Sequence, residues 1–154
     1  MQTVLKPSDV FVDVAATTRE EAIAFLSEHA AAAGLATSAA ACEQAFMARE
    51  ALAATGMEDG FAIPHAKDAS IVRPGLLLAK LAAPVEWPSY GEEQKVDVAF
   101  GIVVPTSEVA GEYLELLSQV AVALMDASFR TQVKELKDPA ALAELVNQTL
   151  ANLV

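Results

Sequence analysis

The spacing of apolar and polar positions divides the chain into elements before any chemistry enters. Val10-Phe11-Val12-Asp13-Val14 is rich in strand formers and predicts a short strand. Thr17-x-x-Glu20 and Thr18-x-x-Glu21 are overlapping capping boxes, and Ile23, Phe25 and Leu26 open an amphipathic helix that should stop at Gly34. Thr37 or Ser38 caps a second helix, expected to last to about Thr55 with Gly56 as its stop. Gly75-Leu76-Leu77-Leu78-Ala79-Lys80-Leu81 predicts a strand, and Pro84 to Gly91 a proline-punctuated loop. Val96 to Val104 is almost uniformly apolar up to Pro105, the pattern of a central strand covered on both faces. Leu114, Leu117, Ala121 and Leu124 mark a helix starting near Gly111, and a short segment spans Phe129 to Leu136. Asp138-Pro139, a cap followed by proline at the first helical position, opens a last helix from Ala140 to about Leu150. The order predicts an α/β fold, a mixed β-sheet flanked by helices, in one domain spanning residues 1–154.

Composition narrows the setting. The 154 residues suit one domain, and 54% hydrophobic content is too high for a disordered chain. Leu76 to Leu81 is interrupted by Lys80 and closed by Pro84, well short of the ~20 residues of a bilayer helix, so no membrane insertion is expected. Met1 to Pro7 lacks a basic region followed by an apolar stretch, so no secretory leader is expected. The single cysteine, Cys42, cannot form an internal disulfide and fits a reducing compartment; the expectation is a cytoplasmic protein. A formal net charge of −11 argues against nucleic acid and anionic lipid as partners.

Candidate chemistry is sparse. His29 and His65 lie in unrelated segments, with no metal-ligand spacing, so no metal is expected, and with no Gly-x-x-x-x-Gly-Lys-Ser/Thr phosphate loop no other cofactor is expected. Cys42 lies on an apolar helix stripe and reads as a small hydrophobe. That stripe, Cys42, Ala45, Phe46, Arg49, Leu52 and Ala53, is apolar except for Arg49. On spacing alone Arg49 reads as a guanidinium snorkelling to solvent or pairing with a structural carboxylate; service in a site is the other reading. The composition changes at Thr55-Gly56-Met57-Glu58-Asp59-Gly60-Phe61-Ala62-Ile63-Pro64-His65-Ala66-Lys67. Glycine and proline make the path into His65 stiff, and a neutral imidazole is a good nucleophile toward phosphorus. From these residues alone, His65 is either a working nucleophile or a loop histidine. His29, with Phe25, Leu26, Ala32 and Ala33 around it on its helix, reads as an ordinary helix histidine.

Arg49-Glu50-Ala51-Leu52-x-x-Thr55-Gly56-x-x-x-Gly60-x-Ala62-Ile63-Pro64-His65-Ala66-Lys67 resembles the signature of the IIA component (EIIA) of the bacterial sugar phosphotransferase system (PTS), fructose/mannitol type. The resemblance continues through Pro84-Val85-Glu86-Trp87, the Val96-to-Pro105 strand, Gly111-Glu112-Tyr113-Leu114, Met125-Asp126 and Phe129-Arg130. It implies an α/β sandwich and a cytoplasmic phosphocarrier without metal. His65 would take a phosphoryl group from the phosphohistidine of HPr and pass it to a cysteine of the IIB component (EIIB), through which the chain would meet a membrane IIC complex. Arg49 matches the arginine that neutralises the phosphoryl oxygens. Tyr113 stands where the family commonly has a second histidine; a phenol keeps a donor but cannot become cationic near neutral pH. The resemblance implies sugar uptake, with Pro84-Val85-Glu86-Trp87 leaning toward fructose, or alternatively a nitrogen-type regulatory IIA whose phosphorylation state controls partner proteins.

Overall fold

The structure, a computed structural model, describes residues 4–89, 92–107 and 110–153. Strand β1 (Val10–Val14) follows a short 3-10 turn, and helices α1 (Arg19–Ala32) and α2 (Ala39–Leu52) come next. Two short strands, β2 (Phe61–Ala62) and β3 (His65–Asp68), precede the long pair β4 (Gly75–Ser89) and β5 (Glu92–Pro105). Helices α3 (Ala110–Ala123), α4 (Ala127–Glu135) and α5 (Pro139–Ala151) complete the chain. The five-stranded sheet runs β1-β4-β5-β2, with β3 also on β5. The β4/β5 pair is antiparallel, and the other pairings are parallel, so the sheet is mixed.

Alternation along the central strands divides the core. Leu77, Ala79, Ala99 and Val103 face one cluster, shared with Ile23 and Leu26 of α1 and Cys42 and Phe46 of α2. Leu76, Leu78, Val98, Phe100, Ile102 and Val104 face the other, shared with residues of α3, α4 and α5. A strand side chain switches face at every residue, so a run buried on both faces must be apolar throughout, as expected for Val96 to Val104. The result is the expected layered α/β fold, helices on both faces of the sheet.

The caps fall on Thr18, Ser38 and Asp138, one from each set of candidates that the sequence offers. Thr18 Oγ1 accepts from Glu21 N at 3.0 Å, Ser38 Oγ from Ala41 N at 3.1 Å, and Asp138 Oδ2 from Ala141 N at 2.9 Å. Each satisfies a backbone donor that has no partner inside the helix. Four expectations change. Helix α2 ends at Leu52, earlier than Thr55, because Ala53 is already extended at φ −165° and ψ 128°. Gly56 is not its stop: a Cβ there would lie 3.1 Å from Trp87 Cδ1, so this glycine lets the backbone approach the indole. Leu52 belongs to no buried stripe and is 83% exposed. Pro84 to Ser89 is strand, paired from Val85↔Val96 to Ser89↔Glu92. β1 reaches only to Leu81 of β4, so among the described residues β4 has a neighbour on one side alone beyond that point, and proline's missing N–H costs no ladder bond on the other.

Candidate active site

The site is assembled from the end of α2, the segment that follows it and a broken edge strand. β2 and β3 lie along the same side of β5, Phe61 opposite Val98 and His65 opposite Ile102, separated by Ile63-Pro64. Proline has no N–H to give to a ladder, but the Pro64 carbonyl accepts from Ile102 N at 3.0 Å and keeps the broken strand docked. His65 is therefore the first residue of a strand rather than a loop residue, and it is buried at 6% exposure. The preceding turn is fixed by backbone geometry. Asp59 and Gly60 both have positive φ, 64° and 85°, and Asp59 bonds to Arg130 at 3.0 Å and Lys134 at 3.2 Å on α4. Short polar side chains and glycine are the residues that tolerate this conformation.

His65 Nδ1 donates to the Ile63 carbonyl at 2.9 Å. A carbonyl can only accept, so this bond places the proton of the neutral ring on Nδ1 and the lone pair on Nε2. Burial pushes the ring below its ordinary value of 6.5; the Ile63 bond opposes this, the Arg49 charge adds to it, and the Glu50 charge opposes it. The ring is therefore held neutral, the nucleophilic form, at neutral pH.

Arg49 is half-buried in the last turn of α2, and its Nη1 donates to Ala53 O at 2.6 Å. Among the described residues it forms no ion pair with a carboxylate. Its charge is felt at His65. Tyr113 lies on the first turn of α3, and its side chain is outside the described residues. His29 is placed on α1 against Phe11 and Phe25, away from this group. Among the described residues no cluster of three His, Cys, Asp or Glu side chains could hold a metal ion, and no helix is long and apolar enough to cross a membrane.

Glu50 is the residue that motif reading passed over. It is 5% exposed, and its Oε1 accepts from Trp87 Nε1 at 3.0 Å and Thr55 N at 3.1 Å, while Oε2 accepts from Thr55 Oγ1. A glutamate beside an exposed leucine on an alanine-rich helix gives no sign of burial; the one available signal was a lone tryptophan needing an N–H acceptor.

The profile of the family described as "Phosphoenolpyruvate-dependent sugar phosphotransferase system, EIIA 2" matches residues 3–149, and the chain belongs to that family. A 2-O-alpha-mannosyl-D-glycerate-specific EIIABC component of Escherichia coli is 29% identical over 80% of this chain, which spans 19% of that relative. A fructose-specific EIIA component of Haloferax volcanii is 31% identical, covering 89% of this chain and 85% of the relative. The nitrogen regulatory protein IIA-Ntr of Neisseria meningitidis has the same fold, with a TM-score of 0.83 at 23% identity over 93% of this chain and 96% of that one. The IIA mannitol enzyme of Escherichia coli, solved in complex with phosphorylated IIB, gives 0.76 at 20% identity over 96% and 97%. The chain spans about a fifth of the length of the multidomain EIIABC relative.

Proposed function

We propose that the chain is a cytoplasmic phosphocarrier of a sugar phosphotransferase system, with His65 as the phosphorylated residue. The observation that carries this is the bond from His65 Nδ1 to the Ile63 carbonyl, which leaves the lone pair of a neutral buried ring on Nε2. That lone pair attacks the phosphorus of phosphohistidine on HPr. The P–N bond of the donor breaks, and its electron pair returns to the donor ring. The new phosphoimidazole keeps its proton on Nδ1, donated to the Ile63 carbonyl, which supports the positive charge the ring acquires. A ring in that state is a good leaving group when a thiolate of EIIB attacks in turn. Arg49 supplies the cation for the phosphoryl oxygens, and positioning together with charge stabilisation carries the step. Tyr113, at the position of the family's second histidine, would offer a hydrogen-bond donor to the same group.

The Pro84-Val85-Glu86-Trp87 segment favours uptake of fructose. A regulatory, nitrogen-type role is the second reading, and tyrosine in place of a second imidazole at position 113 is the observation that favours it. Incubation with phosphoenolpyruvate, enzyme I and HPr should yield an acid-labile phosphohistidine, seen by phosphorus NMR as the Nε2 isomer. Absence of label, or label on another residue, would refute the reading. Onward transfer to a fructose-type EIIB supports uptake; transfer to no EIIB, with a partner bound only in one phosphorylation state, supports regulation.

A further inference from the structure

Polar side chains are buried among the described residues at Ser27, Glu50, Thr55 and His65, and three of these four belong to one hydrogen-bonded series. Trp87 Nε1 and Thr55 N both donate to Glu50 Oε1. The Thr55 carbonyl accepts from Ile63 N at 3.1 Å, and the Ile63 carbonyl accepts from His65 Nδ1 at 2.9 Å. The series therefore runs from a core indole through a carboxylate and two backbone segments to the imidazole. Resting on the phosphocarrier reading, we infer that Glu50 is a positioning residue for transfer at His65: its clamped carboxylate holds the Thr55–Ile63 pairing that orients the ring, and its negative charge keeps the phosphoryl group transferable.

Both halves follow from the placement. If Thr55 shifts, Ile63 loses its backbone partner, and the carbonyl that selects the His65 tautomer moves with it. Glu50 also sits next to Arg49 on α2, and the two charges act on His65 with opposite sign. Phosphorylation leaves the ring cationic but adds a doubly negative phosphoryl group, a net gain of negative charge that Arg49 favours and Glu50 disfavours. A carrier must release what it accepts, and an arginine alone would bias the site toward retention. A buried carboxylate beside it restores the balance.

Two substitutions separate the effects. Glu50→Gln keeps the shape: its amide oxygen can accept from Trp87 and Thr55 N, and its NH₂ can donate to Thr55 Oγ1, so the charge is lost while the Thr55 hydroxyl turns from donor to acceptor. The His65 titration midpoint, followed by NMR, should fall. The exchange equilibrium with phospho-HPr should shift roughly three- to tenfold toward the phosphorylated chain, the scale of a screened charge interaction. Glu50→Asp keeps the charge on a side chain too short to hold both partners. Ring nitrogen-15 shifts should then show a weakened preference for the Nδ1–H tautomer, and acceptance should slow about tenfold. If both variants fold and neither moves the tautomer, the midpoint or the equilibrium, Glu50 is structural only and the inference fails; should Glu50→Asp not fold, an unmoved midpoint and equilibrium in Glu50→Gln refute it. If the wild-type chain takes no phosphoryl group from phospho-HPr, the phosphocarrier reading fails, whereas the tautomer and titration measurements still report whether Glu50 governs His65.

Discussion

His29 and His65 are the two histidines of the chain, and their surroundings differ in kind. His29 is half-buried near the end of α1, its ring 4.2 Å from the centroids of both Phe11 and Phe25. Those contacts are faces and edges of hydrocarbon rings, which fix where the imidazole lies but do not choose between its nitrogens. His65 begins a strand, is buried, and gives one nitrogen to a backbone carbonyl. The difference is one of chemical definition rather than burial: a carbonyl selects a tautomer, and a selected tautomer has an assigned nucleophilic atom.

That contrast can be broken in several places. The largest effect is expected from His65→Ala, which should abolish phosphoryl acceptance from phospho-HPr in a radiolabel assay; labelling at the wild-type rate would move the acceptor elsewhere. Arg49→Ala should keep the fold by circular dichroism and slow transfer about 10²–10³-fold, the usual cost of losing one preorganised charge-stabilising group. Rapid-quench rates equal to wild type would remove Arg49 from the site. The pH dependence should be milder. Acceptance requires the neutral ring, so its rate should hold through pH 6.5, where an ordinary imidazole is half protonated, and fall only below the depressed midpoint. The same group affects stability. The unfolded ring takes up a proton near 6.5 and the folded ring resists it, so its contribution is full above that pH. It declines as pH falls from there through the depressed folded value, and urea melts across that window test the sign. The smallest effect is expected from His29→Ala: transfer within about twofold of wild type, and a stability loss of about 0.5–1.5 kcal/mol from the lost ring contacts. A large transfer defect would erase the contrast.

Much of this arrangement is legible in the sequence where local rules act alone. Caps at Thr18, Ser38 and Asp138 and the twice-buried run from Val96 to Val104 depend on neighbours a few residues away. His65 and Arg49 stand out because each breaks an otherwise apolar pattern. What stayed hidden depends on distant partners. Helix α2 stops at Leu52, and the chain turns back so that Thr55 reaches Glu50, a choice no propensity records. Pro84 and Pro88 announce a loop to any local reading, yet they fit in a strand because β1 is too short to reach them. The burial of Glu50 depends on Trp87, 37 residues further along the chain.

Trp87 has one more consequence, an optical one. It is the sole tryptophan of the chain and is fully buried, with its indole N–H on the Glu50 carboxylate. Excited where tyrosine does not absorb, the protein therefore emits from one fluorophore inside the series that ends at His65. Sealed from water, that indole emits at shorter wavelength than a solvated one, so a red shift marks unfolding. A change in intensity without a shift would instead follow the charge of its neighbour, and on the proposed phosphocarrier reading it would report transfer to His65 in real time without any added label.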